Sequence, residues 1–169
     1  MKSILAVVCC LALGAIPAMG QKKAATETMS DQQFVDFAGQ TDMVEANLGK
    51  LAQDVGGTQD VKDYGQMLET DHTKDYGDLW TAAGQVGATV PQSIDAKNNE
   101  TVIGPMHKLT GAAFDRKFIP AMVSGHEHAI AIYQKEAKDA QSPALRSYAE
   151  TALPVLEKHL DHAKALEKK

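Results

Sequence analysis

Apolar residues recur every third or fourth position in four stretches of this chain, the period of helices that turn one face to a core. The second stretch, residues 61–86, carries Val61, Gly65, Leu68, His72, Tyr76, Leu79, Ala83 and Val86 on one face. The first carries Phe34, Ala38, Thr41, Glu45, Leu48, Ala52 and Val55. Phe114 or Asp115 opens the third stripe, followed by Phe118, Met122, His126, Ala129, Tyr133 and Ala137, and the fourth reads Leu145, Ala149, Ala152, Leu156, His159, Ala163 and Leu166. β-Branched runs and Asn-Gly hairpin signals are absent, so the pattern predicts an all-α fold.

The punctuation between stripes sets the connections. Ser30 or Asp31 is placed to cap the first helix, Gly56-Gly57 ends it, and Thr58 caps the second with Asp60 in its first turn. So short a loop folds the pair into an antiparallel hairpin. Ala140-Gln141 ends the third helix, and Ser142-Pro143 supplies a cap and a first-turn proline for the fourth, which runs to about Leu166. Residues 87–110, broken by Gly87, Pro91, Gly104 and Pro105, read as a long connection with a short helix over about 99–108. Pro120 and Pro154 lie inside helices, each freeing a carbonyl one turn back, on Arg116 and Glu150, so bends are expected there. The expected architecture is a four-helix bundle of two hairpins, 31–86 and 111–166.

Each stripe is interrupted by one ionisable side chain: Glu45, His72, His126 and His159. Glu45 lies 11 residues before Gly56 and His72 15 after Gly57, an offset of roughly 6 Å along the helices. His126 lies 15 residues before Gln141 and His159 18 after it, an offset of roughly 4.5 Å. All four can therefore meet in one layer about a helical turn thick. Three imidazoles and a carboxylate suit a divalent transition metal such as zinc, iron, copper or manganese, and a buried carboxylate without a cation or donors is costly. Glu69, Asp71 and Asp115 are further candidates to orient the ligands or add to them. Taken singly, each histidine reads first as a core imidazole hydrogen-bonded to a neighbour; only the four together bring a metal site level with that reading.

Sharper motifs fail. A carboxylate-bridged di-iron site needs Glu-x-x-His on two helices; Glu69-x-x-His72 satisfies this, but Leu156 stands three residues before His159. His126-Glu127-His128 begins like a zinc-protease helix, yet Ile130 occupies the place of the second histidine. Ser124 lacks the strand-turn-helix setting of a nucleophile. No catalytic set emerges, and His107, His128 and His162 read as surface or edge residues.

The chain opens MKSILAVVCCLALGAIPAMG, a basic residue, a short apolar run and a small-x-small ending, which reads as a secretory signal over residues 1–20. Residues 21–29 read as a disordered arm and 30–169 as one domain. Both cysteines, Cys9 and Cys10, lie in the signal, so a cleaved chain has no thiol for disulfide, nucleophile or metal. Cleavage removes one charge, Lys2, taking the formal balance from −5 to −6, which disfavours nucleic acid as a partner. No later segment is apolar over the length a membrane helix needs.

Asp42-Met43-Val44-Glu45, Met67-Leu68-Glu69-Thr70-Asp71-His72, Gly111-Ala112-Ala113-Phe114-Asp115, Met122-Val123-Ser124-Gly125-His126 and Leu153-Pro154-Val155-Leu156-Glu157-Lys158-His159 resemble the bacterial domain of unknown function 4142. Its members are often labelled predicted outer-membrane proteins and are grouped with the ferritin-like bundles. The resemblance spans about 34–166. It implies a ferritin-like fold whose long connection crosses the bundle, an envelope location in the periplasm or at the outer membrane, and no assigned activity. The reading that combines residues and resemblance is an exported metal-binding bundle; its rival is a non-enzymatic envelope stress or interaction protein with structural seam histidines. Under either, burial is expected to depress the histidine pKa values and weaken the metal-free fold between about pH 6.5 and 5.

Overall fold

The computed structural model describes residues 29–168, and their regular structure is all helical, with a single isolated backbone bridge and no strand. The signal segment and the arm through residue 28 lie outside the described residues. Four long helices dominate: α1 (Asp31–Val55), α2 (Gln59–Val86), α5 (Gly111–Asp139) and α6 (Pro143–Glu167). Between α2 and α5 a helical run comprises α3 (Ala96–Asn98), a wider π-helical turn (Asn99–Ile103) and α4 (Gly104–Met106). This run begins three residues earlier than the sequence suggested. Its widened turn lies just before Pro105, which has no N–H to give the carbonyl one turn back.

The helix starts follow their caps. Ser30 accepts from the Gln33 N–H while the Gln33 side chain accepts from the Ser30 N–H, a reciprocal capping box. Thr58 and Ser142 accept from the backbone N–H three residues on. Both α5 and α6 run on through their internal prolines.

The two hairpins are joined in register at one end. Gly56 at the α1–α2 turn pairs with Gly111 at the start of α5, and the Gly57 N–H donates to Asp115 Oδ1 at 2.9 Å. A Cβ on Gly57 would stand 2.7 Å from both Asp115 Oδ2 and the Ala112 nitrogen, so the turn has no room for a side chain there. α2 and α5 therefore start at the same end and run the same way. The connection of residues 87–110 returns along α1, where Gln32 bonds both the N–H and the carbonyl of Thr89, and Gln40 bonds the Ser93 carbonyl and the Asp95 N–H.

α1 packs on α2, α5 on α6, α2 on α6 and, more loosely, α1 on α5. The core falls into two apolar clusters. One gathers Phe34, Leu79, Tyr133, Leu145 and Tyr148 at the end where α1 and α6 begin; the other gathers Leu48, Tyr64, Leu68, Phe114 and Phe118 towards the Gly56–Gly111 end. Buried polar residues lie between them: Asp42, Glu45, His72, His126 and His159. Among the described residues no helix is long and apolar enough to cross a membrane.

Candidate metal centre

The layer between the two clusters is assembled from all four long helices because each carries its polar residue at mid-length on the core stripe. One nitrogen from each of His72 (α2), His126 (α5) and His159 (α6) lies within 4.8 Å of the others. Their ring centroids are 5.1 to 5.9 Å apart, and all three imidazoles are buried.

Each ring is held from behind. His72 Nδ1 meets Asp42 Oδ1 at 2.9 Å, His126 Nδ1 meets the Met122 carbonyl at 2.9 Å, and His159 Nε2 meets Asp71 Oδ2 at 3.0 Å. A carbonyl oxygen can only accept, so His126 carries its proton on Nδ1, and Asp71 Oδ2, as acceptor, likewise places the His159 proton on Nε2. The neutral rings then aim lone pairs inward from His126 Nε2 and His159 Nδ1, which stand 3.3 Å apart. Two facing lone pairs repel unless a proton or a cation lies between them. His72 Nε2 is buried with no hydrogen-bond partner, the third inward atom of the set. Three nitrogens bound to one ion at about 2.0–2.1 Å sit about 3.3–3.6 Å apart, so the centre is close to the size an ion requires. The residues present fit a nitrogen-ligated metal, and the carboxylate or carbonyl behind each ring is what such histidines need to fix their tautomer.

The other sequence candidates are placed differently. Glu45 approaches His126 from its outer side, Oε1 lying 4.0 Å from Nδ1, and is not among the atoms that converge. Asp71 is the residue behind His159. Glu69 faces α1, accepting from Gln53 Nε2 at 2.6 Å. Asp115 ties the start of α5 to the α1–α2 turn, three helical turns or roughly 16 Å along α5 from His126. Two residues escaped the sequence reading. Asp42, three positions before Glu45 and on the same helix face, holds His72, and Asp75, three after His72, accepts from Tyr148 Oη at 2.6 Å while Tyr148 meets Tyr133 at 3.2 Å. The i,i+3 spacing was the available signal for both.

Burial, then the proximity of His72 and His126, pulls the His159 pKa down to about 3, against the opposing pull of Asp71. Burial pulls His72 down too, but its hydrogen bond to Asp42 and the charges of Asp42, Glu45 and Asp75 outweigh it and leave the imidazole above its usual 6.5. Asp42 is pushed up from 3.8 to about 7 by burial, with His72 opposing and Asp75 adding to the rise. These shifts act on stability with opposite signs. The unfolded chain protonates His159 near 6.5 and the fold only near 3, so that contribution is present above pH 6.5 and lost as pH falls towards 3. Asp42 keeps its proton to about pH 7 in the fold but only to about 3.8 when unfolded, so its contribution is full below 3.8 and lost as pH rises towards 7. His72, raised, acts in the same direction as Asp42. The uniform acid weakening expected from the sequence is therefore opposed by Asp42 and His72. Metal-free wild type should show a shallow slope from pH 6.5 to 4. Asp42→Asn, which removes both the carboxyl proton and the partner holding His72 up, should lose stability on acidification at about 1.4 kcal/mol per pH unit or more. Urea melts across that range check this; equal slopes would contradict it.

Buried imidazoles from three helices, turned on one another and each held from behind, define an all-helical protein with a histidine centre in its core. The chain belongs to the family described as Domain of unknown function (DUF4142), whose family model matches residues 17–166. No curated protein matches it. Among solved structures it is similar to one titled "CopM in the Ag-bound form (by co-crystallization)", with a TM-score of 0.64 and 15% identity over 83% of this chain and 96% of that one. At that identity the likeness speaks for the fold.

Proposed function

We propose that this protein is an exported, ferritin-like four-helix bundle that binds one transition-metal ion through His72 Nε2, His126 Nε2 and His159 Nδ1. Asp42, the Met122 carbonyl and Asp71 orient the three rings. The observation that carries the reading is the pair of inward nitrogens 3.3 Å apart whose protons are both committed outward, beside the unpartnered His72 Nε2. An all-imidazole donor set suits copper or zinc over manganese, which prefers oxygen. The silver-bound form in which the structural neighbour was crystallised is in keeping with a closed-shell soft ion. The bound ion would share the inward lone pairs and join α2, α5 and α6; the chain's part is to orient the three inward nitrogens and exclude water.

Protein purified without a histidine tag is expected to bind one copper or zinc ion per chain, and to melt at a higher temperature in its presence. At a free ion concentration 100 times Kd the gain is about 2.7 kcal/mol. No stoichiometric ion and no shift would leave the rival reading, a structural polar layer in which His126 and His159 share a proton across their 3.3 Å contact.

A further inference from the structure

α1 and α5 diverge near mid-length, and residues of the connection cover the gap, enclosing a groove of about 620 Å³. That is within the range of small-molecule sites, about 300–1,000 Å³. Much of its wall is carbon, from Phe37, Val44, Leu48, Val102, Ala121 and Met122. Three of its polar groups are committed within the protein, Gln40 to the Ser93 carbonyl and Asp95 N–H, Thr41 Oγ1 to the Phe37 carbonyl, and Asn98 Nδ2 to Gln40, while Lys97, Ser124 and His128 are exposed.

Among the buried polar atoms of the groove's lining, Glu45 Oε2 is the one without a partner. The residue is only 6% exposed. The nearest imidazole nitrogen, His126 Nδ1 at 4.0 Å, gives its proton to the Met122 carbonyl instead. On the α5 side stands Gly125, where an added Cβ would lie 3.4 Å from Glu45 Oε1, so the α5 backbone comes close to the carboxylate.

We propose that this groove binds a small organic monoammonium ion, its N–H donors on Glu45 and its apolar body along the carbon walls. The buried carboxylate requires a positive partner with hydrogens to donate. A hydrated metal would leave the apolar walls unused and find few further ligands. Lys97, exposed at the mouth, repels a second ammonium, so a monoamine is preferred to a diamine of equal length. The site adjoins the three-histidine centre, Glu45 Oε1 lying 4.0 Å from His126 Nδ1, but uses none of the inward nitrogens.

Calorimetry on the full chain, freed of metal with a chelator, tests this with n-hexylammonium, hexanol and 1,6-diaminohexane. One hexylammonium should bind per chain, more tightly than hexanol. Glu45→Gln should weaken it about tenfold or more, Ser124→Trp at the rim should block it with folding intact, and Lys97→Gln should improve the diamine. His159→Gln should leave hexylammonium binding unchanged. Equal affinity for hexanol, binding indifferent to both Glu45→Gln and Ser124→Trp, or no binding at millimolar hexylammonium would overturn the proposal.

Discussion

Replacing His159 with alanine is expected to abolish stoichiometric metal binding while leaving a folded, metal-free protein. The ring lies closest to both neighbours: its Nδ1 stands 3.3 Å from His126 Nε2, and its centroid 5.1 Å from that of His72. Two imidazoles on α2 and α5 would remain, too few to fill the coordination of copper or zinc, so the loss should exceed the roughly 10–100-fold that follows loss of an orienting partner. Asp71→Ala should fall in that smaller range, because it frees the His159 ring and its tautomer without removing a ligand. Truncation also deletes a depressed histidine, so metal-free His159→Ala should lose less stability on acidification than wild type. Metal analysis with melting curves in the presence and absence of ion separates these outcomes. A variant that keeps its ion at wild-type affinity would end the metal reading, whatever its stability.

Gly49→Ala is expected to produce a large loss of stability, although alanine is the better helix former by about 1 kcal/mol. α1 and α2 touch backbone to backbone at this point. A Cβ on Gly49 would stand 2.6 Å from the Gly65 carbonyl oxygen and 2.7 Å from the Glu69 nitrogen, and one on Gly65 would stand 2.6 Å from the Gly49 carbonyl oxygen. These neighbours are main-chain atoms of a helix and cannot swing aside, so the hairpin must open. Overpacking of this kind costs about 1–3 kcal/mol, and the rigidity of the contact places Gly49→Ala at or beyond the upper end after the propensity gain. The spread would reach the centre, since Asp42 and His72 sit on the same two helices; metal affinity should fall along with stability. Gly77→Ala, with no atom within 4 Å of its added carbon, is the matched control and should be neutral or stabilising. Chemical denaturation of the three proteins checks the order, and a stable Gly49→Ala would show that the helices part more easily than their contact implies.

The length and place of most long helices were legible in the chain because stripe and cap agree at their boundaries, Ser30, Gly56-Gly57 before Thr58 and Ser142 before Pro143, whereas α5 starts after Thr110 without a side-chain cap. The inward aim of His72, His126 and His159 was legible for the same reason, each standing where the 3.6-residue period puts a leucine or alanine elsewhere. Counting residues from the hairpin turns placed them in one layer. Rotation about the helix axis was not legible. A turn of the α1 face decides that Asp42 meets His72 from behind while Glu45 passes to the outer side of His126 and into a groove, and a stripe of residues reports a face only to within a side chain's width. The path of residues 87–110 was equally closed to the sequence, because the glutamines that clamp it, Gln32 and Gln40, are ordinary polar residues of α1 until the connection reaches them. Periodicity and caps are local, and they set which residues face inward and at what height. Which inward atoms meet, which are left with a lone pair and no partner, and how each pKa moves depend on contacts between residues 30 to 88 positions apart, and only the tertiary packing decides those.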